Sequence, residues 1–254
     1  MMHPQQASTQ SELLPGVVAL THGVLWLERS RVLVAADVHL AYEDVIGGAL
    51  PLWSTHESTQ TLLLLARRMD AREIVLLGDV IHGSRMSEGA ARLVGEALAL
   101  LREQCTLTII AGNHEGRSRG VAILGETEDG VERDGWILVH GDVPVPAPRT
   151  IVGHLHPTLP LAAGNSVAAF VASPRLVVVP ALTPYSGGLN ILSSDCTRAL
   201  KAWIPSTSEC IVVASTPERV FPFGSLGGLR DAMRMDRGGS PPRFRRYRLR
   251  ADRD

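Results

Sequence analysis

Cysteine is scarce in this chain of 254 residues, and the three present, Cys105, Cys196 and Cys210, show no Cys-x-x-Cys spacing. An odd count without that spacing argues against a disulfide framework; small buried thiols in a reducing compartment are expected instead. Long apolar runs are missing as well. The longest, Val167 to Leu182, is broken by Ser173, Pro174 and Arg175 and is too short to span a bilayer. Met1 to Gly16 has no basic head followed by an apolar segment, so no secretory signal is expected. These absences point to the cytoplasm and to no membrane partner. Gly-x-x-x-x-Gly-Lys is also lacking, so Gly224-Ser225-Leu226-Gly227-Gly228 is expected to be a turn into a helix, not a phosphate loop.

Net charge is nearly absent too, at −1, so no global field draws in DNA or membranes. The balance is uneven along the chain. From Arg230 to the end there are nine Arg and four Asp, a local +5, which leaves −6 for the remainder. Lysine is almost missing, with Lys201 alone. In the tail, Arg243 to Arg250 interleaves arginine with Phe244 and Tyr247. Arginine contacts phosphates and rings stack on bases, although a solvated flexible end has the same composition.

What the chain does contain is histidine in a pattern. Six of nine histidines fall in five short motifs, most of them directly after an apolar run. They are Asp37-Val38-His39, Gly78-Asp79-Val80-Ile81-His82, Gly112-Asn113-His114-Glu115, His140-Gly141-Asp142 and Gly153-His154-Leu155-His156. A stretch such as Val32-Leu33-Val34-Ala35-Ala36 reads as a buried strand, and the polar residues after it emerge where an α/β sheet presents its ligand crevice. Asp37, His39, Asp79, Asn113, His140, His154 and His156 make seven candidate metal ligands. One ion takes about 4 to 6 donors, so this set suits two ions that share a carboxylate. Oxygen and nitrogen donors without thiolate favour Mn, Fe or Zn at a reactive site over a structural Cys-type zinc. Paired ions of this kind recur in enzymes that hydrolyse phosphate esters.

The five motifs in this order resemble the calcineurin-like metallophosphoesterase superfamily over Asp37 to His156. His82 in the second motif, Pro157 after the fifth, and the later Pro180-Ala181-Leu182-Thr183-Pro184-Tyr185-Ser186-Gly187-Gly188-Leu189 narrow it. This set is similar to the ligase-associated DNA-damage-response metallophosphoesterases, a subgroup related to the nucleases of double-strand-break repair. The resemblance implies that Asp37, His39 and His156 hold one metal, that Asn113, His140 and His154 hold the other, and that Asp79 bridges them. It also implies His114 as the catalytic residue that protonates or stabilises the leaving oxygen. His82 and Glu115 are candidates for orienting Asp79, His114 or a bound phosphate. Glu115 stands where the family often has Asp. Asp142 reads as loop polarity, and His3, His22 and His56 lack companion ligands and read as structural or solvated.

The expected fold class is α/β: a two-sheet mixed β-sandwich flanked by helices, the four-layer αββα arrangement the resemblance implies. Residues 1–12 are polar and expected to be disordered, residues 13–237 form one metallophosphoesterase domain, and residues 238–254 form a flexible Arg-rich tail. Val17 to Leu20 and Val24 to Glu28 read as a hairpin around Thr-His-Gly. Strands over Val32 to Ala36, Ile74 to Leu77 and Leu107 to Ala111 alternate with two helices, which implies a parallel sheet. Ser54 or Thr55 is expected to cap the first helix, which ends at Met69, and Ser87 the second, with Leu93, Ala97, Leu98 and Leu101 on its apolar face. Trp136 to Val139, Thr150 to Val152, Val167 to Val171 and Leu176 to Val179 follow as strands of a mixed or antiparallel sheet. Cys210 to Ala214 and Val220 to Phe223 are expected at sheet edges.

The function expected is a dimetal phosphoesterase, with manganese the favoured ion: a phosphodiesterase or nuclease linked to DNA repair, with DNA and repair proteins as partners. The alternative enzyme cleaves small-molecule or cyclic-nucleotide phosphates, since the 98 residues after His156 leave no room for a large cap that grips duplex DNA. A third possibility is a non-catalytic scaffold, but an inactive relative is expected to lose ligands, and every ligand position here is filled.

Overall fold

The computed structural model describes residues 8–47, 52–81, 86–113, 119–161, 164–183 and 187–238. The first sheet has six strands in chain order: β1 (Gln10–Leu14), β2 (Val17–Leu20), β3 (Leu25–Leu27), β4 (Val32–Ala36), β5 (Glu73–Leu77) and β6 (Thr106–Ile110). β1 to β4 pair antiparallel, whereas β4, β5 and β6 run parallel. Parallel neighbours need long crossovers. A short helix α1 (Tyr42–Ile46) and α2 (Trp53–Met69) join β4 to β5, and α3 (Glu88–Gln104) joins β5 to β6.

A helix α4 (Arg119–Leu124) leads to the second sheet. This sheet has nine strands: β7 (Val131–Arg133), β8 (Trp136–Val139), β9 (Thr150–Val152), β10 (Pro157–Pro160), β11 (Ser166–Ser173), β12 (Leu176–Val178), β13 (Leu189–Asn190), β14 (Ile211–Ser215) and β15 (Val220–Ser225). It is mixed: β9 lies parallel to both β8 and β12, while β11 pairs antiparallel with β10, β12 and β14. Helices α5 (Ser194–Lys201) and α6 (Leu226–Gly238) complete the described chain.

Alternation along the strands explains the four layers. In β4, Leu33 and Ala35 join Leu62, Leu65, Val94 and Leu98 in a core under α2 and α3. Val32, Val34 and Ala36 face the other way, into a core shared with Trp136, Phe170 and Val177 of the second sheet. On the far side of that sheet, Ala169, Val171 and Val178 pack with Cys196, Leu200 and Leu226 of α5 and α6. A central strand buried on both faces is apolar along most of its length, which is why β4 and Ile74–Leu77 of β5 read as unbroken apolar runs. The structure is therefore two mixed sheets face to face with helices outside, the expected αββα order.

Several local expectations are corrected. The N-terminal segment is ordered earlier than residue 13: Ser8 bridges Val220, and Gln10–Leu14 pairs with β2. Neither Ser54 nor Thr55 caps α2, which begins at Trp53. Their hydroxyls serve tertiary bonds instead: Ser54 donates to Glu43, and Thr55 accepts from the Ala41 N–H at 2.8 Å. Ser87 does cap α3, accepting from the Ala90 N–H at 3.2 Å, but Val94 and not Leu93 is on the buried face. β14 is interior, held between β11 and β15, because its five residues find a partner on each side. The Gly224–Gly228 stretch leads into α6, as its composition suggests. Burial pushes the Cys196 and Cys210 thiols up to about 11, so both are inert apolar groups.

Candidate metal centre

All seven candidate ligands lie at strand ends, on one edge of the sandwich. Asp37 and His39 follow β4, Asp79 follows β5 and Asn113 follows β6. His140 follows β8, and His154 and His156 follow β9. The first sheet thus supplies four residues and the second three, and the two sheets are tied together beside them. Ala36 pairs with Ala181, and the Leu182 N–H donates to the Ala36 carbonyl at 2.9 Å. His82, His114 and Glu115 lie outside the described residues.

The backbone is bent sharply to aim these side chains. Asp37, His39, Asp79, His154 and His156 all have φ between +41° and +59°. That conformation costs a non-glycine residue about 1–3 kcal/mol and persists where the surroundings impose it, chiefly at functional sites. The glycines of the motifs have their own reason. Gly78 has φ +72°, and a methyl there would stand 2.5 Å from His140 Nδ1. A methyl on Gly112 would overlap the backbone nitrogen and Oδ1 of Asp79.

Two groups emerge. Asp37, His39 and His156 offer ligand atoms within 4.8 Å of one another, and so do Asp79, His140 and His154. Asp37, His39, Asp79 and His140 are each at most 2% exposed. Burying carboxylates is expensive unless a positive charge answers them. For Asp37 no Lys or Arg among the described residues does so. Its Oδ2 accepts from the His154 N–H at 2.8 Å, but its Oδ1 is buried and accepts no hydrogen bond, with His156 Nε2 only 3.1 Å away.

The second group shows the same signature more fully. His140 Nδ1 donates to the Leu77 carbonyl oxygen at 2.8 Å. A neutral ring then carries a lone pair on Nε2. That atom faces Asn113 Oδ1 at 2.8 Å, His154 Nδ1 at 3.2 Å and Asp79 Oδ2 at 3.5 Å. Acceptors crowded around one point repel each other unless a cation sits among them. Adjacent ligands on an ion with bonds of about 2.0–2.2 Å are about 3 Å apart, which is the spacing seen here. His156 is oriented likewise, with Nδ1 3.3 Å from the Gly187 carbonyl and Nε2 turned to Asp37. Backbone carbonyls that fix the ring's tautomer are the usual support for metal-binding histidine. Sequence reasoning missed both, because any residue type has a carbonyl.

The histidines differ in their protonation. Burial, with His140 alongside, holds His154 below the ordinary histidine value. Burial also acts to lower His156, but Asp37 and the Gly187 carbonyl outweigh it and the ring lies above the ordinary value. Of the residues read as bland, Asp142 and His56 are exposed. His22 is not merely structural in its placement: it lines a pocket that His156 also lines.

Residues 30–166, more than half of the chain, match the calcineurin-like phosphoesterase family. A nuclease named MPE from Pseudomonas putida has a similar fold, with TM-score 0.64 and 21% identity over 84% of this chain and 98% of that one. A dimetal phosphatase from Danio rerio is more distant, with TM-score 0.36 and 12% identity over 76% and 94% of the two chains. No curated protein sequence matches significantly. The chain belongs to the calcineurin-like phosphoesterases, metal-dependent hydrolases of phosphate esters.

Proposed function

We propose that the seven residues form one dimetal centre, that manganese is its working ion, and that the protein is a phosphodiesterase acting on DNA in repair. Asp37, His39 and His156 hold the first ion, Asn113, His140 and His154 the second, and Asp79 lies between them. One observation carries this reading: Asn113 Oδ1, His154 Nδ1 and Asp79 Oδ2, from three other strand ends, converge on His140 Nε2 while His140 Nδ1 donates to the Leu77 carbonyl. Divalent cations bound here polarise a phosphoryl oxygen and acidify water near neutral pH. The protein's own residues do the rest. Buried Asp37 and Asp79 set the charge of the site, and the Leu77 and Gly187 carbonyls hold two rings in the ligating tautomer. His114, which follows Asn113 in the chain, delivers a proton to the leaving oxygen. His82 and Glu115 belong to the same proposal, as residues that orient Asp79, His114 or a bound phosphate.

The preference for diesters of DNA is supported by the fold shared with the Pseudomonas putida nuclease and by the Arg-rich segment 238–254. Cytoplasmic placement and repair-protein partners belong to the same proposal; among the described residues no helix is long and apolar enough to cross a membrane. A second reading, hydrolysis of small-molecule or cyclic-nucleotide phosphates, is favoured by the small pocket at His156. The test is turnover by the purified protein with Mn²⁺ on a monoester, a bis-aryl diester, cyclic nucleotides and single- and double-stranded DNA. Cleavage of DNA and diesters over monoesters is expected. If small esters turn over well and DNA neither binds at low salt nor is cut, the nuclease reading is wrong and the second takes its place.

A further inference from the structure

The pocket beside His156 has a volume of about 290 Å³. Its walls come from parts of the chain that are far apart. Helix α2 contributes Glu57 and Thr61, the turn before β3 contributes His22, β11 contributes Ser166 and Val167, and the segment after β12 contributes Pro180 and Leu182. The last segment also carries the Ala36–Ala181 pairing, one residue before Asp37 in the chain.

Its charge is informative. Among the described residues neither Lys nor Arg lines it, Glu57 is its one carboxylate, and His22 and His156 are its imidazoles. A pocket with those walls offers a phosphate no guanidinium or ammonium partner. The phosphate of a substrate therefore stays at the metal ligands, and the pocket is left for the organic group esterified to it. Proline and aliphatic side chains give apolar walls, and hydroxyls and Glu57 give a polar rim. Glu57 makes no hydrogen bond or salt bridge among the described residues, so its oxygens are available as acceptors. The volume is at the lower end of ligand pockets, about 300–1,000 Å³, which suits one small ring system.

We infer that this pocket is a subsite for one unpaired nucleobase of the substrate, with apolar walls against the base faces and Glu57 accepting a hydrogen bond from an exocyclic amine. The inference rests on the phosphodiesterase reading and sharpens it. A base inside a duplex has its polar edge occupied by its complement and its faces stacked, so the base that enters comes from a single strand, a frayed end or a free nucleotide. Cytosine, adenine and guanine carry the amine; thymine does not.

Binding of free nucleosides tests the pocket without turnover. In an NMR titration of the full chain, deoxycytidine is expected to bind about tenfold more tightly than thymidine, the value of one charge-assisted hydrogen bond. Glu57→Gln should erase most of that difference. Ser166→Phe, at an exposed position at the start of β11, should fill the pocket and abolish binding of both, with an unchanged melting temperature showing that the fold is kept. In the activity arm with Mn²⁺, the Ser166→Phe variant should lower the kcat/KM ratio of a nucleoside 5′-nitrophenyl phosphate to methyl nitrophenyl phosphate by about tenfold or more. Nucleosides that fail to bind, or that bind the wild type and Ser166→Phe alike, overturn the subsite whatever the turnover. Selective nucleoside binding by a protein that hydrolyses no ester supports the pocket and instead overturns the phosphodiesterase reading.

Discussion

Gly112 and Asp79 are packed so closely that no side chain fits between them: a methyl on Gly112 would occupy the space of the Asp79 backbone nitrogen and Oδ1. Gly112 precedes Asn113, so the close approach brings two proposed ligands from neighbouring strands to one place. Gly112→Ala is expected to cost about 1–3 kcal/mol, as overpacking does, and to displace Asp79. Thermal denaturation together with metal content checks this. A variant that melts like the wild type and keeps two metals per chain would show that the contact is not needed.

Asp79 and Asn113 should differ in what their loss does. Asp79→Asn removes the carboxylate proposed to bridge the two ions, so occupancy of both should fall and hydrolysis should be abolished. Asn113→Ala removes one neutral donor from the second group and should weaken that ion alone. Elemental analysis of the two variants distinguishes the cases. Full double occupancy and near-normal turnover in Asp79→Asn would rule out a bridging carboxylate.

His114→Ala should retain both metals and lose turnover by roughly 10²–10⁴-fold if the ring protonates the leaving oxygen. The deficit should shrink for a nitrophenolate leaving group, which departs without a proton. Equal deficits with alkoxide and nitrophenolate leaving groups would assign His114 to positioning the phosphate instead.

The strand ends and the candidate ligands after them were legible because they obey local rules. β4 and Ile74–Leu77 of β5 are buried on both faces, so their sequences are continuous apolar runs, and the first polar residues after them are Asp37 and Asp79. Elements with one solvent face were harder. β1 reads Gln-Ser-Glu-Leu-Leu, with its first residues exposed or half-buried, and carries no apolar run. β10 is four residues long and has a proline at each end, a composition that argues against a strand when taken locally. The start of α2 depended on Glu43 and Ala41, which are distant in the chain and draw the Ser54 and Thr55 hydroxyls away from capping. The pocket at His156 was illegible for the same reason, since its lining residues run from His22 to Pro217.

Away from the metal centre, Glu73 and Arg133 join the two sheets, β5 to β7. Arg133 Nε and Nη2 each donate to the Glu73 carboxylate at 2.7 Å, and Thr108 Oγ1 donates at 2.6 Å. Burial acts to raise the Glu73 pKa, but the guanidinium and the hydroxyl outweigh it and hold it below the usual glutamate value. Because the folded value is depressed, the pair contributes stability that is present above the unfolded value of about 4.3 and is lost as the pH falls through the lower folded one. Glu73→Gln should therefore cost about 2 kcal/mol at pH 7 and much less at about pH 3. Urea denaturation at both pH values measures it; a penalty that does not change with pH would mean that packing, not charge, is what Glu73 supplies.

The two metal groups should part company as the solution is acidified. A ligating imidazole must be neutral, so a proton competes with the metal at any histidine whose pKa exceeds the pH. His156 lies above the ordinary value and His154 below it. Competition therefore begins at His156, in the group with Asp37 and His39, while His154 is still unprotonated. Below a pH of about 6.5 protonation of His156 should lower the affinity of that first group by about tenfold per unit, a loss to which His154 adds nothing in its own group until lower pH. Titrating the metal-free protein with Mn²⁺ at pH 7.5 and at pH 5.5 should show the class of site that contains His156 weakened more than the class that contains His154. Parallel weakening of both classes would mean that the contrast between His156 and His154 does not govern metal binding.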